Sequence, residues 1–169
     1  MTVLETERLV LRRLCADDAE FILELLNQPS FLRYIGDKGV KNTEDAIHYI
    51  QTGPVASYDR FGFGLYLAEL KESGVSIGMC GLIKRDSLPD VDVGFAFLPA
   101  HWSQGYAFEA AAAVMTYGRE VLGLRRIVAI TSLDNVASIK LLEKIGLRFE
   151  RLIKLAEDQP EVRLFGSTV

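Results

Sequence analysis

The sequence has few residues that could bind a metal or form a cross-link: two cysteines, Cys15 and Cys80, and two histidines in 169 residues. The cysteines do not form a CxxC pair and have no histidine at metal-ligand spacing, which argues against a disulfide framework and a zinc site. We therefore expect no bound metal. Because Cys80 lies within an apolar run, we interpret it as a packing residue rather than a reactive thiol.

Positive charge is also scarce. The formal net charge is −4 and lysine and arginine are not clustered, which argues against a nucleic-acid partner and favours a cationic small substrate. No segment reaches the roughly 18 apolar residues of a membrane span, and the N-terminus lacks a signal-peptide pattern. These absences predict a cytoplasmic protein with no nucleic-acid or membrane partner.

The sequence has the length and composition of one globular domain. Hydrophobic residues make up 49% of the chain and charged residues 25%, both within the usual range for such domains. No repeat, low-complexity segment or linker divides it. We expect a single domain over residues 1–169, formed around one core.

The hydrophobic pattern predicts an α+β fold with a central mixed, mostly antiparallel twisted sheet flanked by helices. A strand at 8–14 precedes a helix with capping-box spacing from Asp17 to Glu20, which Pro29 ends, and Gly53-Pro54 stops a second helix at about 42–51. The later elements are predicted as strands at 61–70, 75–83 and 91–98, a helix at 105–122, a strand at 126–131, a helix at 136–145, and strands at 147–153 and 161–165.

The strongest local feature is the loop at 101–107, between the strand that Pro99 ends and the helix that follows. A helix N-terminus leaves backbone N–H groups unpaired and carries partial positive charge, so it binds phosphate readily. Gly105 and Ala107 are small enough for the backbone to approach an anion. The residues by themselves fit an anion site and an ordinary glycine-containing helix start equally well.

Three segments carry a resemblance to a known family: TERLVLRRL near the start, VDVGFAFLPAHWSQGYAFEAA in the middle, and the helix from Asn135 to Leu147. Together they resemble the GCN5-related N-acetyltransferases (GNAT), and in detail the branch of the RimJ/RimL-type ribosomal-protein acetyltransferases. The resemblance runs from Glu5 to about Phe149. It implies a GNAT-like fold, a CoA-dependent N-acetyltransferase activity and acetyl-CoA as co-substrate.

Carried over by position, the resemblance implies a set of cofactor-binding residues. The amides of 104–107 would hold the CoA pyrophosphate, and the strand end at 97–98 and Asn135 would bind the pantetheine arm. Trp102 replaces the Arg or Gln of the broader family pattern, and Phe108 replaces the usual threonine of the branch, so a hydroxyl contact to phosphate is lost. The full set is Phe97, Leu98, Trp102, Ser103, Gln104, Gly105, Tyr106, Ala107, Phe108, Asn135 and Ser138.

The chemistry that the resemblance implies is direct attack of a neutral amine on the thioester within a ternary complex. Many relatives have a tyrosine acid where this chain has Leu142, and Ser138 matches the serine of the RimL-like branch instead. We expect Asp92 to be the base, acting through water, and an N–H near Phe97 to stabilise the oxyanion. Asn135 also has the position of a helix N-cap, and both of its roles remain open.

Other candidates are weaker. We interpret Glu109 as a structural residue near the helix start, and we favour His48 and His101 less than Asp92 as the base. The aromatic residues fit an acceptor pocket or core packing equally well: Phe31, Tyr34, Tyr49, Tyr58, Phe61 and Phe63.

The leading hypothesis is an N-acetyltransferase, a monomer or homodimer, whose acceptor is a protein N-terminus, such as that of a ribosomal protein, or a small-molecule amine. One alternative is an acetyl-CoA-binding sensor or interaction module without turnover. A non-CoA nucleotide-binding domain is the other, and the lack of a GxGxxG or P-loop string counts against it.

Overall fold

The computed structural model describes residues 1–167, which form one eight-stranded sheet with helices on both faces. The strands run in the order β1-β2-β3-β4-β5-β6-β8-β7. All neighbouring strands are antiparallel except β5 and β6, which are parallel. The elements in chain order are β1 (Thr2–Glu5), β2 (Leu9–Arg13), α1 (Ala19–Leu26), α2 (Pro29–Tyr34), α3 (Thr43–Ile50), α4 (Ala56–Phe61), β3 (Leu65–Leu70), β4 (Ser76–Ile83), β5 (Val91–Phe97), α5 (Tyr106–Glu120), β6 (Ile127–Ser132), α6 (Val136–Lys144), β7 (Leu147–Ile153) and β8 (Val162–Ser167).

This arrangement confirms the predicted α+β fold with its mixed, mostly antiparallel sheet. Helix α5 packs on β4 and β5 on one face of the sheet. Ala110 and Ala111 are fully buried there, because their small side chains allow the helix to approach closely. Helices α1 to α3 cover the opposite face through a second buried cluster that includes Met79 and Leu67. Cys80 is fully buried, as predicted for a packing residue.

The region between β2 and β3 differs from the sequence prediction, which placed two helices there where the structure has four. Pro29 begins α2 rather than simply ending α1, because the first helical position does not need the N–H that proline lacks. Gly53-Pro54 does not stop α3 either. It lies in a π-helical turn, Gln51–Val55, that leads directly into α4.

The N-terminal region contains two further corrections. The predicted strand at 8–14 is β2, and a second strand, β1, precedes and pairs with it. The predicted capping box from Asp17 to Glu20 is replaced by Asp18, whose carboxylate accepts the Cys15 N–H at 2.9 Å. Arg12 holds the same carboxylate through an ion pair at 2.8 Å, which ties the start of α1 to β2.

Candidate active site

The site begins where the sheet opens. Strands β5 and β6 pair at Val91 with Ile127 and at Asp92 with Val128, and no register pair continues beyond these two. Strand β5 nevertheless runs on to Phe97. The two parallel strands therefore separate toward their carboxyl ends, and the facing edge of β5 is left without a strand partner among the described residues.

The backbone of Phe97 faces this opening. The Leu98 N–H donates to the Ile77 carbonyl at 2.9 Å, which makes Phe97 and Gly78 a pair that exchanges no hydrogen bonds. The N–H and C=O groups of Phe97 consequently point away from β4. The Trp102 indole Nε1 donates to that carbonyl at 2.8 Å, whereas the Phe97 N–H remains directed at the opening.

A cavity of about 630 Å³ lies at the opening of the sheet. Two groups of residues form most of its lining. The first, which we call the β5–α5 wall, comprises Phe95, Ala96, Phe97, His101, Trp102, Ser103, Gly105, Tyr106, Ala107 and Phe108. The second, which we call the α1–α2 wall, comprises Leu25, Gln28, Ser30, Phe31, Tyr34 and Ile35. The rest of the lining comes from the start and one face of α6: Asp134, Asn135, Val136, Ala137, Ser138, Lys140, Leu141 and Lys144.

The start of α5 has the backbone geometry of an anion cradle. Ser103 and Gly105 have positive φ values of 62° and 83°, so the chain turns sharply just before the helix. The Gly105 carbonyl accepts the Glu109 N–H at 3.0 Å, which is the first bond of the helix. The N–H groups at 106–108 precede it and have no partner within the helix. All three residues line the cavity, so these donors lie beside it at the positive end of the helix dipole.

An arginine that the sequence reasoning missed supports this cradle. Arg8 Nε forms an ion pair with Glu109 at 2.7 Å, and Arg8 Nη1 donates to the Gln104 carbonyl at 2.9 Å. Its guanidinium lies 4.3 Å from the centre of the Tyr106 ring. Arg8 therefore links the loop to the first turn of α5. Its place in the TERLVLRRL segment was the available signal.

Glu109 has the structural role predicted for it. Its carboxylate accepts hydrogen bonds from the Thr6 hydroxyl and, at 2.8 Å, from the Arg8 N–H. Partial burial raises the pKa of Glu109, but these hydrogen bonds and the Arg8 ion pair outweigh that effect and hold it below its ordinary value. The carboxylate is thus ionised and committed to Arg8, so it does not oppose an anion in the cradle.

Asn135 and Ser138 lie together at the start of α6, where both line the cavity. The Asn135 side-chain oxygen accepts the Ser138 N–H at 3.2 Å, which confirms the predicted N-cap. The bond leaves the Asn135 amide NH₂ group and the Ser138 hydroxyl available to a ligand. Both side chains are half-buried and lie across the opening from β5.

An ion pair at the surface joins α2 to the start of α6. Arg33 of α2 contacts Asp134, just before α6, with 3.3 Å between Nη2 and Oδ2. Both side chains are about two-thirds exposed, at 67% and 65%. The pair spans the cavity mouth between α2 and α6, and it neutralises the one carboxylate in the lining.

The structure does not bring Asp92 together with the other predicted site residues. Its side chain is 1% exposed, is absent from the cavity lining, and forms an ion pair with Arg85 at 3.1 Å. Burial raises the pKa of Asp92, and Arg85 only partly offsets this. The reason is its position: Asp92 is at the last point where β5 is still paired with β6, before the strands separate.

Two predicted cofactor residues also lie outside the lining. The Leu98 N–H is already bonded to Ile77, and the Gln104 carbonyl to Arg8. Of the two histidines, His101 lines the cavity and His48 lines a separate cavity of about 210 Å³ between α3 and the loop before it.

The aromatic residues divide between the two roles that the sequence left open. Phe31 and Tyr34 line the cavity, whereas Tyr58 stacks on Tyr66 in the core with ring centres 5.5 Å apart. Phe63 belongs to the same core, and Tyr49 lines the small second cavity.

Within residues 1–167, no group of three or more histidine, cysteine, aspartate or glutamate side chains is placed to hold a metal ion. None of the helices in this range is both long and apolar enough to cross a membrane.

Comparison with known proteins assigns this architecture to a family. A family model for the acetyltransferase (GNAT) domain matches residues 8–148. The uncharacterized N-acetyltransferase YoaA of Bacillus subtilis is 34% identical over 154 residues, which cover 90% of this chain and 86% of YoaA. YkkB of the same organism is 31% identical over 159 residues, covering 90% and 89%.

Solved structures show the same fold. An acetyltransferase from Agrobacterium tumefaciens superposes with a TM-score of 0.84 at 27% identity, covering 100% of this chain and 95% of that one. RimL, a ribosomal L7/L12 alpha-N-protein acetyltransferase solved in complex with CoA, also reaches 0.84, at 18% identity and with coverage of 100% and 98%. From the family match, the two sequence relatives and the shared sheet, we conclude that this chain belongs to the GNAT acetyltransferase family and is an acyltransferase.

Proposed function

We propose that this protein transfers the acetyl group of acetyl-CoA to a primary amine, by direct attack of the amine on the thioester in a ternary complex. The observation that carries the proposal is the cavity itself. It joins the free amides at the start of α5 to the open edge of β5, and it continues to the α1–α2 wall. A long anionic cofactor and a second substrate can thus occupy the same opening from two sides.

The site residues fit the cofactor part by part. The N–H groups at 106–108 suit the pyrophosphate, with Trp102, Ser103 and Gly105 beside them. The side-chain amide of Asn135 suits the pantetheine arm. The N–H of Phe97 points into the opening, and we assign it as the hydrogen-bond donor to the oxyanion that forms at the thioester carbonyl.

We propose that the Ser138 hydroxyl donates a hydrogen bond to the departing thiolate. A thiol has a pKa near 8.5, so its thiolate is a weak base that can leave without a strong acid, and solvent supplies the proton that completes the thiol. We do not assign the base to Asp92, because its carboxylate is buried against Arg85 and lies outside the cavity. The amine is then deprotonated by solvent entering the cavity mouth.

The lining also favours one class of acceptor. The α1–α2 wall consists of apolar or uncharged side chains, and the one carboxylate in the lining, Asp134, is paired with Arg33. A polyamine or aminoglycoside would need several carboxylates to bind its charges. We therefore propose an acceptor with one reactive amine on a largely uncharged carrier, such as a protein N-terminus or a small monoamine.

The test is thiol release from acetyl-CoA across a panel of N-terminal peptides, monoamines, spermidine and an aminoglycoside. We expect release above the hydrolysis background for single-amine acceptors and weaker release for the polycations. Calorimetry with acetyl-CoA, ATP and NAD accompanies it. Acetyl-CoA binding without release for any acceptor would favour a sensor. Binding of ATP or NAD in place of CoA would overturn the proposal.

A further inference from the structure

Two lysines of α6 line the cavity beside the start of α5. Lys140 and Lys144 are four residues apart and so occupy the same helix face. The Lys144 ammonium lies 4.5 Å from the centre of the Phe108 ring, so it leans across toward the first turn of α5. Both side chains are exposed at the surface of the cavity.

These lysines lack the carboxylate partners that usually neutralise such side chains. Neither forms an ion pair with any residue in the range 1–167. The nearby acid of α5, Glu109, is held by Arg8, and Asp134 lies at the other end of α6 and is paired with Arg33. This end of the cavity is therefore positive in a chain whose formal net charge is −4.

Resting on the proposed function, we propose that Lys140 and Lys144 bind the 3′-phosphate on the ribose of CoA. The cofactor carries two separate anionic groups, the pyrophosphate and this phosphate. The amides of α5 already provide donors for the pyrophosphate, whereas the lysines face them from α6. A terminal phosphate has three exposed oxygens and suits flexible ammonium groups as point charges.

The pair makes the protein selective for CoA over its 3′-dephospho form. Calorimetry with acetyl-CoA and acetyl-3′-dephospho-CoA tests this on the full chain. The wild type should bind the dephospho form roughly tenfold more weakly, as expected for a lost charge-assisted contact. The preference should shrink as salt is raised, because the lysines are exposed.

The matched variants are Lys140→Ala with Lys144→Ala, the same two positions changed to arginine, and Lys154→Ala as a remote lysine control. The double alanine variant should bind acetyl-CoA roughly tenfold more weakly yet bind the dephospho form as the wild type does. The arginine pair should retain the preference, and Lys154→Ala should change neither affinity. Alanine is a good helix former, so α6 should be preserved.

Other outcomes separate this inference from the proposed function. An equal loss of affinity for both cofactors in the double alanine variant would assign the lysines to the pyrophosphate and overturn the inference. Equal binding of both cofactors by the wild type would overturn it as well, and the acetyl-CoA site would stand. Failure of the wild type to bind either cofactor would instead overturn the proposed function itself.

Discussion

The two walls of the cavity present different chemical groups to a ligand. The β5–α5 wall presents backbone groups: the Phe97 N–H and the amides at 106–108, held by a turn with two positive φ values. The α1–α2 wall presents side chains on two short helices of eight and six residues. Backbone donors keep their geometry when the sequence changes, whereas a side-chain surface changes with each substitution. This contrast supports the proposed function, in which the cofactor binds to the β5–α5 wall and the acceptor to the α1–α2 wall.

Replacing Gly105 with valine should break the β5–α5 wall most severely. A β-branched residue does not tolerate a φ of 83°, and its Cβ would lie 3.2 Å from Arg8 Nη2. We expect CoA affinity, measured by calorimetry, to fall roughly 100-fold because the cradle donors lose their alignment. Gly123→Val is the control, since its φ of 71° imposes similar strain at the other end of α5. Equal losses in both variants would contradict the cradle.

Ser138→Ala should affect turnover without affecting CoA binding. We expect kcat to fall roughly tenfold, as for the loss of one hydrogen bond to a charged group and less than the loss of a general acid would cost, since a thiolate needs little protonation. Stopped-flow thiol release and calorimetry measure the two quantities separately. Ser132→Ala is the matched control, because the Ser132 hydroxyl is buried without a partner and does not line the cavity. An unchanged kcat in Ser138→Ala would remove Ser138 from the mechanism.

The two roles of Asn135 can be separated by comparing alanine with serine at this position. Asn135→Ala should lose about 1 kcal/mol of unfolding free energy, because the cap is lost, whereas Asn135→Ser keeps a capping oxygen. Both variants lose the side-chain amide and should bind CoA roughly fivefold more weakly. Urea denaturation and calorimetry provide the two readouts. Wild-type affinity in Asn135→Ser would mean that Asn135 is a cap alone.

Arg33→Ala probes the α1–α2 wall and should have a smaller effect. Removing Arg33 frees the Asp134 carboxylate at the cavity mouth, so the KM for cationic acceptors should fall roughly twofold to threefold. CoA affinity should not change. Stability should change by less than about 0.5 kcal/mol, since the ion pair is exposed. Steady-state kinetics with Arg33→Lys as control measures the effect, and a change confined to CoA affinity would contradict the division into two walls.

Asp92→Asn should have the smallest effect on activity. A residue outside the cavity should change kcat by less than about twofold, whereas loss of a general base costs roughly 100-fold or more. A 100-fold loss would restore Asp92 as the base.

Stability of the same variant should depend on pH in a defined direction. The pKa of Asp92 is raised by burial in the folded state, so the unfolded chain releases this proton at lower pH than the folded protein. The stability of the wild type relative to Asp92→Asn is therefore greatest below the ordinary aspartate pKa. This relative stability falls as the pH rises from the ordinary aspartate pKa through the raised pKa of Asp92 in the folded protein. Urea denaturation across this interval measures it, and a rise in relative stability would show that Arg85 dominates.

Much of the fold could be predicted because its signals are local. The apolar runs of β4 and β5, the stripe of alanines in α5 and the cap at Asn135 are each visible within a few residues. The secondary-structure prediction failed where one local pattern is compatible with two structures. Gly53-Pro54 is typical of a helix stop, yet the backbone passes through it as a π turn that leads directly into α4.

The candidate site could be predicted only in part. The cradle at 105–107 follows from a glycine before a helix and from the family resemblance, and both are properties of adjacent residues. Arg8 was missed because its partner, Glu109, is 101 residues away in the chain. Asp92 was placed near the chemistry because it precedes Phe97 on the same strand, but the strand is still paired and buried at that point.

The sequence by itself determined the α+β architecture, the position of the helix start at Gly105 and the cap at Asn135, because periodicity, glycine and capping residues act over one or two helical turns. Only the tertiary structure decided where β5 and β6 separate, which carboxylates are neutralised by Arg8, Arg33 and Arg85, and which lysines remain unpaired beside the cradle. These features depend on contacts between distant strands and helices and on how deeply each charged group is buried. No single segment of the sequence encodes either of these properties.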